Sequence, residues 1–288
     1  MKGIVLAGGT GSRLWPITKV TSKQLIPVYD KPMIYYPLSV LFLAGIREIL
    51  IICTPLDLED FKSLLGDGSL YGVNFQYITQ ESPDGLAQAY LLGEDFLDGD
   101  SSLMVLGDNI FHGNTLGHDL KSLLPSAGAH IFTYVVDDPS RYGILEVDKE
   151  KRPTHIEEKP VTPKSNLAVT GLYFFDNRAP QFAKNISPSA RGELEITSLI
   201  EQYLLKGELT YTNLGRGNAW LDTGTPESLL EASTYIAIVE KRTGLKIACL
   251  EEIALHMEFI DHGELEVIIA KMGKNSYRDY LEKVNLIS

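Results

Sequence analysis

The first apolar run of this chain leads directly into a glycine cluster, and that junction constrains the fold more than any other feature. Residues 3–7 (Gly-Ile-Val-Leu-Ala) precede Gly-Gly-Thr-Gly-Ser-Arg at 8–13. In α/β proteins, a buried strand that ends in such a loop is where anionic ligands bind. Glycine lets backbone N–H groups approach a phosphate without a Cβ in the way, and Arg13 and Lys23 supply countercharge. The pattern predicts a phosphate-binding loop.

The loop matches neither of the two common phosphate motifs. No Gly-Lys-Ser/Thr follows the glycines, which excludes a Walker loop. Leu14 stands where the dinucleotide fingerprint needs its third glycine, and a bulky residue there opposes the close strand–helix packing of that motif. The sequence therefore argues against a dinucleotide-dependent dehydrogenase.

Composition narrows the class further. The net charge of −12 over 288 residues excludes a general nucleic-acid binder, which needs a basic face. Two cysteines make no disulfide framework, and Cys53 in an apolar run is expected to be a buried small hydrophobe. With no signal peptide and no apolar stretch of about 20 residues, we expect a cytoplasmic protein that does not enter a membrane.

Short apolar runs alternate with helical patterns through the first half of the chain. This alternation is typical of βαβ units and predicts a parallel sheet with helices on both faces. The predicted strands are 4–7, 49–53, 75–78 and 103–106, and the predicted helices are 34–44, 58–65 and 85–96.

The second half has a different character. Short strands with few intervening helices indicate hairpin and mixed-sheet additions, at 131–136, 143–147, 154–158 and 169–175. Helices are predicted at 194–205 and 226–241. Residues 250–288 show apolar positions at helical spacing, so we expect a helical tail packed on the core.

Two acidic residues fall where a metal could bind. Asp108 follows the strand 103–106, and the carboxyl end of a central strand faces the crevice where such sheets bind ligands. Asp222 lies between apolar residues and Gly224. Each motif alone is typical of a turn. Two carboxylates together with a phosphate loop predict Mg²⁺, which prefers oxygen ligands and substrate phosphates.

Three further motifs carry polar chemistry, and each has a simpler interpretation. Lys159 precedes Pro160 and could hold a phosphate as a point charge, or end a solvated strand. Gln80 offers the donor and acceptor that a pyrimidine edge requires, or begins an ordinary helix. The acids of the stretch 191–197 suit a helix N-terminus. The histidines form no metal-like cluster, and no nucleophilic triad or Gly-X-Ser-X-Gly motif occurs.

In this order the motifs resemble those of the sugar-1-phosphate nucleotidylyltransferases, and within them the longer bacterial glucose-1-phosphate thymidylyltransferases. The resemblance covers essentially the whole chain. It is most specific at 3–16, 23–28, 83–89, 106–111, 141–143, 157–160, 169–175, 191–197 and 220–225.

The resemblance implies a fold and a reaction. The fold would be a Rossmann-like α/β/α sandwich with a mainly parallel central sheet, an added sugar-binding β region and a C-terminal helical tail. A nucleotidyltransferase domain would span 1–249 and the tail 250–288. With Mg²⁺, the enzyme would convert dTTP and α-D-glucose 1-phosphate into dTDP-glucose and pyrophosphate, the first step of dTDP-L-rhamnose biosynthesis.

The resemblance also assigns roles to residues. Those that would act in catalysis are Arg13, Lys23, Asp108, Lys159 and Asp222, of which Asp108 and Asp222 would hold the metal. Those that would bind the nucleotide are Leu6, Gly8, Gly9, Thr10, Gly11, Ser12, Arg13, Gln80, Pro83, Gly85 and Asp108. Those that would bind the sugar phosphate are Tyr142, Gly143, Glu158, Lys159, Val169, Tyr173, Arg191, Glu193 and Trp220.

Members of this longer type are typically homotetramers inhibited by dTDP-rhamnose at a second site between subunits. Gly117-His118 and the stretch 249–254 resemble parts of that site. Leu255-His256 stands where relatives commonly have an aromatic residue and an arginine. Because an arginine can clasp a phosphate with two hydrogen bonds, its absence predicts that effector inhibition persists in weaker form.

Two alternatives stay open. The chain could prefer UTP or another hexose phosphate, since a single methyl group is often discriminated by only about 1–3 kcal/mol. It could instead be a non-catalytic regulator that binds sugar nucleotides. That role predicts the loss of at least one metal carboxylate or phosphate-binding cation, yet all five candidate catalytic residues are present.

Overall fold

The computed structural model describes residues 1–9, 11–113 and 120–287. Its strands are β1 Lys2–Ala7, β2 Pro27–Val28, β3 Lys31–Pro32, β4 Glu48–Cys53, β5 Asn74–Thr79, β6 Ser102–Leu106, β7 Asn109–Gly113, β8 Ala129–Val135, β9 Gly143–Val147, β10 Pro153–Glu158, β11 Leu167–Phe175, β12 Leu209–Asn213 and β13 Asn218–Asp222. Its helices are α1 Tyr35–Leu43, α2 Leu58–Leu65, α3 Gln88–Leu92, α4 Glu94–Leu97, α5 Leu120–Leu123, α6 Ala179–Ala183, α7 Ile196–Leu204, α8 Pro226–Thr243, α9 Leu250–His256, α10 His262–Lys271 and α11 Ser276–Ile287.

One large sheet organises these elements. Its strands run in the order β10-β9-β11-β6-β1-β4-β5, with β8 beside β11 and β12 beside β8. The four strands β6, β1, β4 and β5 are parallel, and β11 joins them antiparallel through β6. The predicted α/β architecture with a mainly parallel central sheet is confirmed.

The side chains of the parallel strands alternate between two hydrophobic cores, one on each face of the sheet. On β1, Val5 packs into the core with α1, whereas Ile4 and Leu6 pack into the core with α3 and α7. A strand buried on both faces reads as a continuous apolar run, which is why these segments were visible in the sequence. Cys53 is fully buried as expected, and burial raises its pKa to about 11.

The three C-terminal helices cover one face of the sheet. Leu250, Ala254, Leu265 and Leu281 belong to the same core as α1. Burial of these side chains attaches the tail to the body of the molecule. The boundary between residues 249 and 250 stays a prediction. None of the helices in the described part of the chain is long and apolar enough to cross a membrane.

The structure corrects the helix predicted at 85–96. It begins only at Gln88 and divides into α3 and α4 at Gly93, where a Cβ would lie 2.9 Å from the Ala89 carbonyl oxygen. The sequence analysis also missed five strands, the two-residue strands β2 and β3 and the longer β7, β12 and β13. β7 and β13 pair with each other outside the large sheet, and they carry part of the candidate site.

Candidate active site

The glycine cluster forms a tight loop at the carboxyl end of β1. Gly9 has φ 104° and Gly11 has φ 56°, conformations that favour glycine. A Cβ on Gly8 would lie 2.3 Å from Oε1 of Gln80, so the close approach also requires glycine. The chain then makes a short 3-10 turn at Ser12–Leu14. Thr10 lies outside the described residues.

This loop borders a small cavity of about 240 Å³, here called the loop cavity. Arg13, Lys23 and Asp108 all contribute to its wall. The residues that line it are Gly8, Gly9, Gly11, Ser12, Arg13, Leu14, Lys23, Gln24, Asp108 and Gly224. Six of the predicted nucleotide-binding residues therefore line one cavity, Asp108 among them, and the candidate cation Lys23 lines it as well.

Lys23 and Asp108 form an ion pair across 85 residues of sequence. Because β6 pairs in parallel with β1, with Leu106 opposite Leu6, Asp108 emerges beside the glycine loop. The Lys23 Nζ donates to Oδ2 of Asp108 at 2.6 Å. Burial alone would raise the pKa of Asp108, but the adjacent Lys23 ammonium outweighs it and the pKa is lowered.

Asp222 reaches the same place from the other end of the chain. It is the last residue of β13 and lies opposite Asn109 in the antiparallel pairing with β7. Its Oδ2 accepts from Nη2 of Arg141 at 3.4 Å. Burial raises the pKa of Asp222, and the negative charge of Asp108 raises it further. The two carboxylates are therefore close enough to repel each other.

The residues present fit a magnesium ion. No group of three or more His, Cys, Asp or Glu that could hold a metal occurs among the described residues. Mg²⁺ does not need such a group, because it binds through one or two carboxylates, water and substrate phosphates. Asp108 and Asp222 supply two carboxylates at the wall of one cavity, and their mutual repulsion would be relieved by a divalent cation.

A wider cavity of about 640 Å³, here called the wide cavity, shares Arg13 and Asp108 with the loop cavity. Its wall includes Arg13, Asp108 and Asp222 together with every residue predicted for the sugar phosphate. Those residues are Tyr142, Gly143, Glu158, Lys159, Val169, Tyr173, Arg191, Glu193 and Trp220.

Lys159 is held in an unusual backbone conformation at this cavity. Its φ is 47°, in the left-handed region that non-glycine residues seldom adopt, and its N–H donates to the Tyr142 carbonyl at 3.0 Å. The Nζ lies 3.6 Å from Oε1 of Glu158. Burial raises the pKa of Glu158 despite that ammonium group. Lys159 thus lies at the wall of the wide cavity just after the end of β10, with 46% of its side chain exposed.

Arg191 is surrounded by acids. Its Nη2 lies 2.8 Å from Oε1 of Glu195, 3.4 Å from Glu193 and 3.5 Å from Glu158. Glu195 occupies the N-cap position of α7, but its side chain makes no capping hydrogen bond. Its Oε1 accepts from Ser189 and Arg191 instead. Glu195 thus lies at a helix N-terminus as the pattern predicted, but its carboxylate bonds Arg191 and Ser189 and not the helix backbone.

Gln80 lies at a third cavity of about 580 Å³, together with Pro83 and Gly9. Its Nε2 donates to Oε1 of Gln88 at 2.6 Å, and its side chain is almost fully buried.

Gly85 has φ 113°, and a Cβ there would lie 2.3 Å from the Leu194 carbonyl oxygen. Leu6 and Gly85 are the two described nucleotide candidates that these three cavities leave out. Leu6 is a core residue whose carbonyl accepts from the N–H of Gly107.

Two functional candidates were quoted within motifs but received no role from the sequence. Arg141 pairs with Asp222, and Asn109 donates to Asp108 from Nδ2 at 2.8 Å. A signal existed for both, since each directly adjoins an assigned residue. Nothing in the linear pattern connects Arg141 with Asp222, which is 81 residues away.

Comparison with known proteins identifies the class to which this fold belongs. The model of the family described as nucleotidyl transferase matches residues 2–238. The chain belongs to this family.

The most similar relatives carry a narrower name. A glucose-1-phosphate thymidylyltransferase of Neisseria meningitidis serogroup A is 55% identical over 98% of both chains. One of Xanthomonas campestris pv. campestris is 57% identical over 97% of this chain and 95% of its own. The resemblance recognised in the motifs is thereby confirmed.

Solved structures agree with the fold. A crystal structure assigned as a glucose-1-phosphate thymidylyltransferase from Bacillus anthracis, in complex with sucrose, is 44% identical and covers 82% of this chain and 94% of its own, with a TM-score of 0.75. A UDP-glucose pyrophosphorylase complexed with UDP-glucose has a TM-score of 0.74 at 23% identity, covering 84% of this chain and 99% of its own. The second likeness concerns the fold alone.

Proposed function

We propose that this enzyme transfers a thymidylyl group from dTTP to α-D-glucose 1-phosphate, giving dTDP-glucose and pyrophosphate, as the first step of dTDP-L-rhamnose biosynthesis. One observation carries the proposal. The loop cavity and the wide cavity share Arg13 and Asp108 at their common boundary. Two anionic substrates bound on either side would therefore meet at a cation and a carboxylate that can share a metal.

The chemistry asks little covalent work of the protein. An oxygen of the sugar phosphate attacks the α-phosphorus in line while pyrophosphate leaves. The attacking phosphate is already ionised, so no general base is required. The protein must align two anions that repel each other and stabilise the charge that spreads in the transition state. A site with several cations and without a nucleophile fits that task.

Each cation has a place in this scheme. Arg13 and Lys23 would neutralise the triphosphate and then the departing pyrophosphate, beside the backbone of the glycine loop. Lys159 and Arg191 would hold the sugar phosphate in the wide cavity. Gln80 and Gly85 would recognise the edge of the thymine, with Gln80 already oriented by Gln88. Asp108 and Asp222 would hold Mg²⁺, which when bound supplies charge neutralisation at the phosphate.

The first test is pyrophosphate release with Mg²⁺ and glucose 1-phosphate, compared across dTTP, UTP, CTP, ATP and GTP. We expect fast release with dTTP, slower release with UTP and none with purine nucleotides. Fast release with UTP and slow release with dTTP would move the assignment to a uridylyltransferase. No release from folded protein with any nucleotide would contradict the proposed substrate pair.

Two substitutions test the assigned cations. Arg13→Ala and Lys159→Ala should each lower turnover by about 10²- to 10³-fold, the loss typical of a removed transition-state charge contact. Circular dichroism should show an unchanged fold, because both side chains lie at a cavity wall. Lys62→Ala is the matched control, since Lys62 is an exposed cation on α2 that pairs only with Glu59 in its own helix. Wild-type turnover in either folded site variant would contradict the assignment.

Regulation and assembly form a separate part of the proposal. We infer a homotetramer that dTDP-rhamnose inhibits weakly at a second site. Leu255 is buried and His256 is exposed in α9, whereas Gly117 and His118 lie outside the described residues. Light scattering should give four chains per particle. Isothermal titration showing no dTDP-rhamnose binding outside the active site would contradict the effector proposal and leave the reaction unaffected.

A further inference from the structure

Hydrogen bonds from neighbouring groups fix the orientation of the Asn109 side chain. It is the first residue of β7, and only 5% of the residue is exposed. The indole Nε1–H of Trp220 donates to its Oδ1 at 2.6 Å, and the N–H of Gly171 donates to the same oxygen at 3.2 Å. Two donors on one atom identify that atom as the amide oxygen, since an NH₂ group cannot accept. The NH₂ group therefore faces the other way.

The NH₂ group meets one oxygen of Asp108. Nδ2 of Asn109 donates to Oδ1 of Asp108 at 2.8 Å. The backbone of Asp108 is fixed as well, because the buried Thr223 hydroxyl donates to the Asp108 carbonyl at 2.7 Å. With the main chain and Oδ1 both held, Oδ2 is the oxygen that faces Lys23 and the loop cavity.

The packing around Asn109 leaves its side chain little freedom to rotate. A Cβ on Gly171 would lie 2.6 Å from Oδ1 of Asn109, so the strand β11 passes against the amide at a glycine. Across the strand pair, Asn109 lies directly opposite Asp222. Asn109 is thus next to Asp108 in the chain and opposite Asp222 in the strand pair. Among the hydrogen bonds of the described residues, its amide bonds the carboxylate of Asp108 and not that of Asp222.

We propose that Asn109 is a positioning residue. It fixes the carboxylate of Asp108 so that Oδ2 stays on the side of Lys23, where it would be available to a metal ion, and the indole N–H of Trp220 sets the orientation of Asn109. This inference rests on the proposed metal role of Asp108. It assigns Trp220 a function besides forming the wall of the wide cavity, because the ring's N–H links that wall to the metal carboxylate.

Removing such a support weakens a metal site without removing a ligand. Partners of metal ligands typically contribute 10- to 100-fold in metal affinity or activity when mutated. In Asn109→Ala the Asp108 carboxylate loses a donor on Oδ1 and can turn away from the site. We expect Mn²⁺ to bind the ligand-free, full-length variant about tenfold more weakly than the wild type. The Mg²⁺ concentration for half-maximal activity should rise by a similar factor.

The measurement is a titration of Mn²⁺ into the protein without nucleotide, following the electron paramagnetic resonance signal of the free ion. Trp220→Phe removes the N–H donor and keeps an aromatic ring. It should weaken Mn²⁺ binding in the same direction by a smaller factor, about three- to fivefold. In the double variant with Asn109→Ala, the Trp220 substitution should add little further loss, since both act through one amide.

Thr170→Val is the matched control. Thr170 is fully buried on β11, next to Gly171, and its hydroxyl donates to the Phe132 carbonyl. This variant should lose stability and retain wild-type Mn²⁺ affinity. If Asn109→Ala does not fold, Trp220→Phe and its Mn²⁺ affinity decide the question.

Three outcomes are distinguishable. Weaker Mn²⁺ binding in both site variants, with less than additive effects, supports the inference. Wild-type affinity in folded Asn109→Ala or Trp220→Phe overturns it and leaves the proposed reaction intact. No Mn²⁺ binding by the wild-type protein at millimolar metal, together with pyrophosphate release that needs no divalent metal, overturns the metal assignment itself, and with it the inference.

Discussion

Two clusters of charged side chains in this molecule look alike in composition and differ in what surrounds them. The open cluster consists of Lys23, Asp108, Arg141 and Asp222 at the wall of the cavities. The closed cluster consists of Asp30, Lys31, Glu240 and Lys246. Each contains two acids and two bases. They have opposite consequences for function.

In the closed cluster every charge is satisfied by the protein. Lys31 bonds both Asp30 and Glu240, the latter at 3.0 Å, and its side chain is only 2% exposed. Glu240 also accepts from the N–H of Ile247 at 2.8 Å. Burial alone would raise the pKa of Asp30, but hydrogen bonds from Lys246 and Lys31 outweigh it, so the pKa is lowered. The cluster joins the hairpin β2–β3 to α8, and each of its four charges is paired with two charges of the opposite sign.

In the open cluster the pairing is incomplete. Asp108 lies 2.6 Å from the ammonium group of Lys23, and its pKa is lowered. Asp222 lies 3.4 Å from the guanidinium group of Arg141, and its pKa is raised. A carboxylate that the protein leaves undercompensated beside a cavity is suited to a cation from solution. The difference teaches that composition does not identify a binding site. Access and unbalanced charge do.

The largest expected effect is on catalysis in the open cluster. Asp222→Asn should lower turnover by about 10³-fold, because it removes a charge assigned to the metal. Stability should be unchanged or higher. A carboxyl whose pKa is raised in the folded state is destabilising when ionised, so a neutral side chain relieves that cost. Pyrophosphate release measures turnover, and thermal unfolding measures stability. A large fall in melting temperature would contradict the expectation that Asp222 does not stabilise the fold.

The mirror experiment is in the closed cluster. Lys31→Met leaves Asp30 and Glu240 short of a buried partner and should lower the free energy of unfolding by about 3–5 kcal/mol. Turnover per folded molecule should stay within a few-fold of the wild type, since Lys31 lines none of the three cavities described. Urea unfolding gives the first quantity and active-site titration the second. If Lys31→Met lost turnover while its free energy of unfolding stayed at the wild-type value, the closed cluster would have a role in catalysis and the comparison would fail.

His130 extends the comparison to a buried titratable group whose hydrogen-bond partners are hydroxyl groups and not charges. His130 is 5% exposed and contacts the hydroxyls of Thr210 and Thr212. Burial lowers its pKa from 6.5 to about 4. Between those values the unfolded chain binds a proton that the folded protein does not, so unfolding free energy should fall as the pH drops from about 6.5 to 4.

The size of that fall is up to about 3 kcal/mol, from 1.36 kcal/mol per pKa unit. The contribution is fully present above pH 6.5. Denaturant unfolding at a series of pH values measures it, and His130→Gln is the control because it cannot be protonated. The same acid-dependent loss in wild type and variant would assign it to other groups.

The smallest effect is expected where a good pair is exposed. Lys184 and Glu94 approach to 2.6 Å, and their side chains are 54% and 44% exposed. Water screens such a pair and both long side chains lose freedom, so Lys184→Met should change unfolding free energy by less than about 1 kcal/mol. Urea unfolding beside Lys31→Met makes the comparison direct. A loss as large as that of Lys31→Met would show that burial does not separate the two kinds of pair.

Much of the frame was readable from the sequence. The strands β1, β4 and β6 carry unbroken apolar runs because both faces of the sheet are buried there, whereas the edge strand β5 keeps only a short apolar run. The helix 85–96 was predicted too long, since helical spacing continues through Gly93. The packing of Leu50 of β4 against Gly93, where a Cβ would lie 3.1 Å from the Leu50 side chain, is a tertiary contact that the local pattern does not show. The strands β7 and β13 were missed because each is short and adjoins a turn motif.

The sequence by itself determined the glycine loop after β1, the order of the motifs and the family. These depend on local patterns: a strand before glycines, a carboxylate after a strand, a lysine before a proline. Only the tertiary structure decided which charges meet. Lys23 with Asp108, Arg141 with Asp222 and Trp220 with Asn109 are 85, 81 and 111 residues apart. Such contacts follow from sheet order and strand register, because those decide which distant segments share one edge.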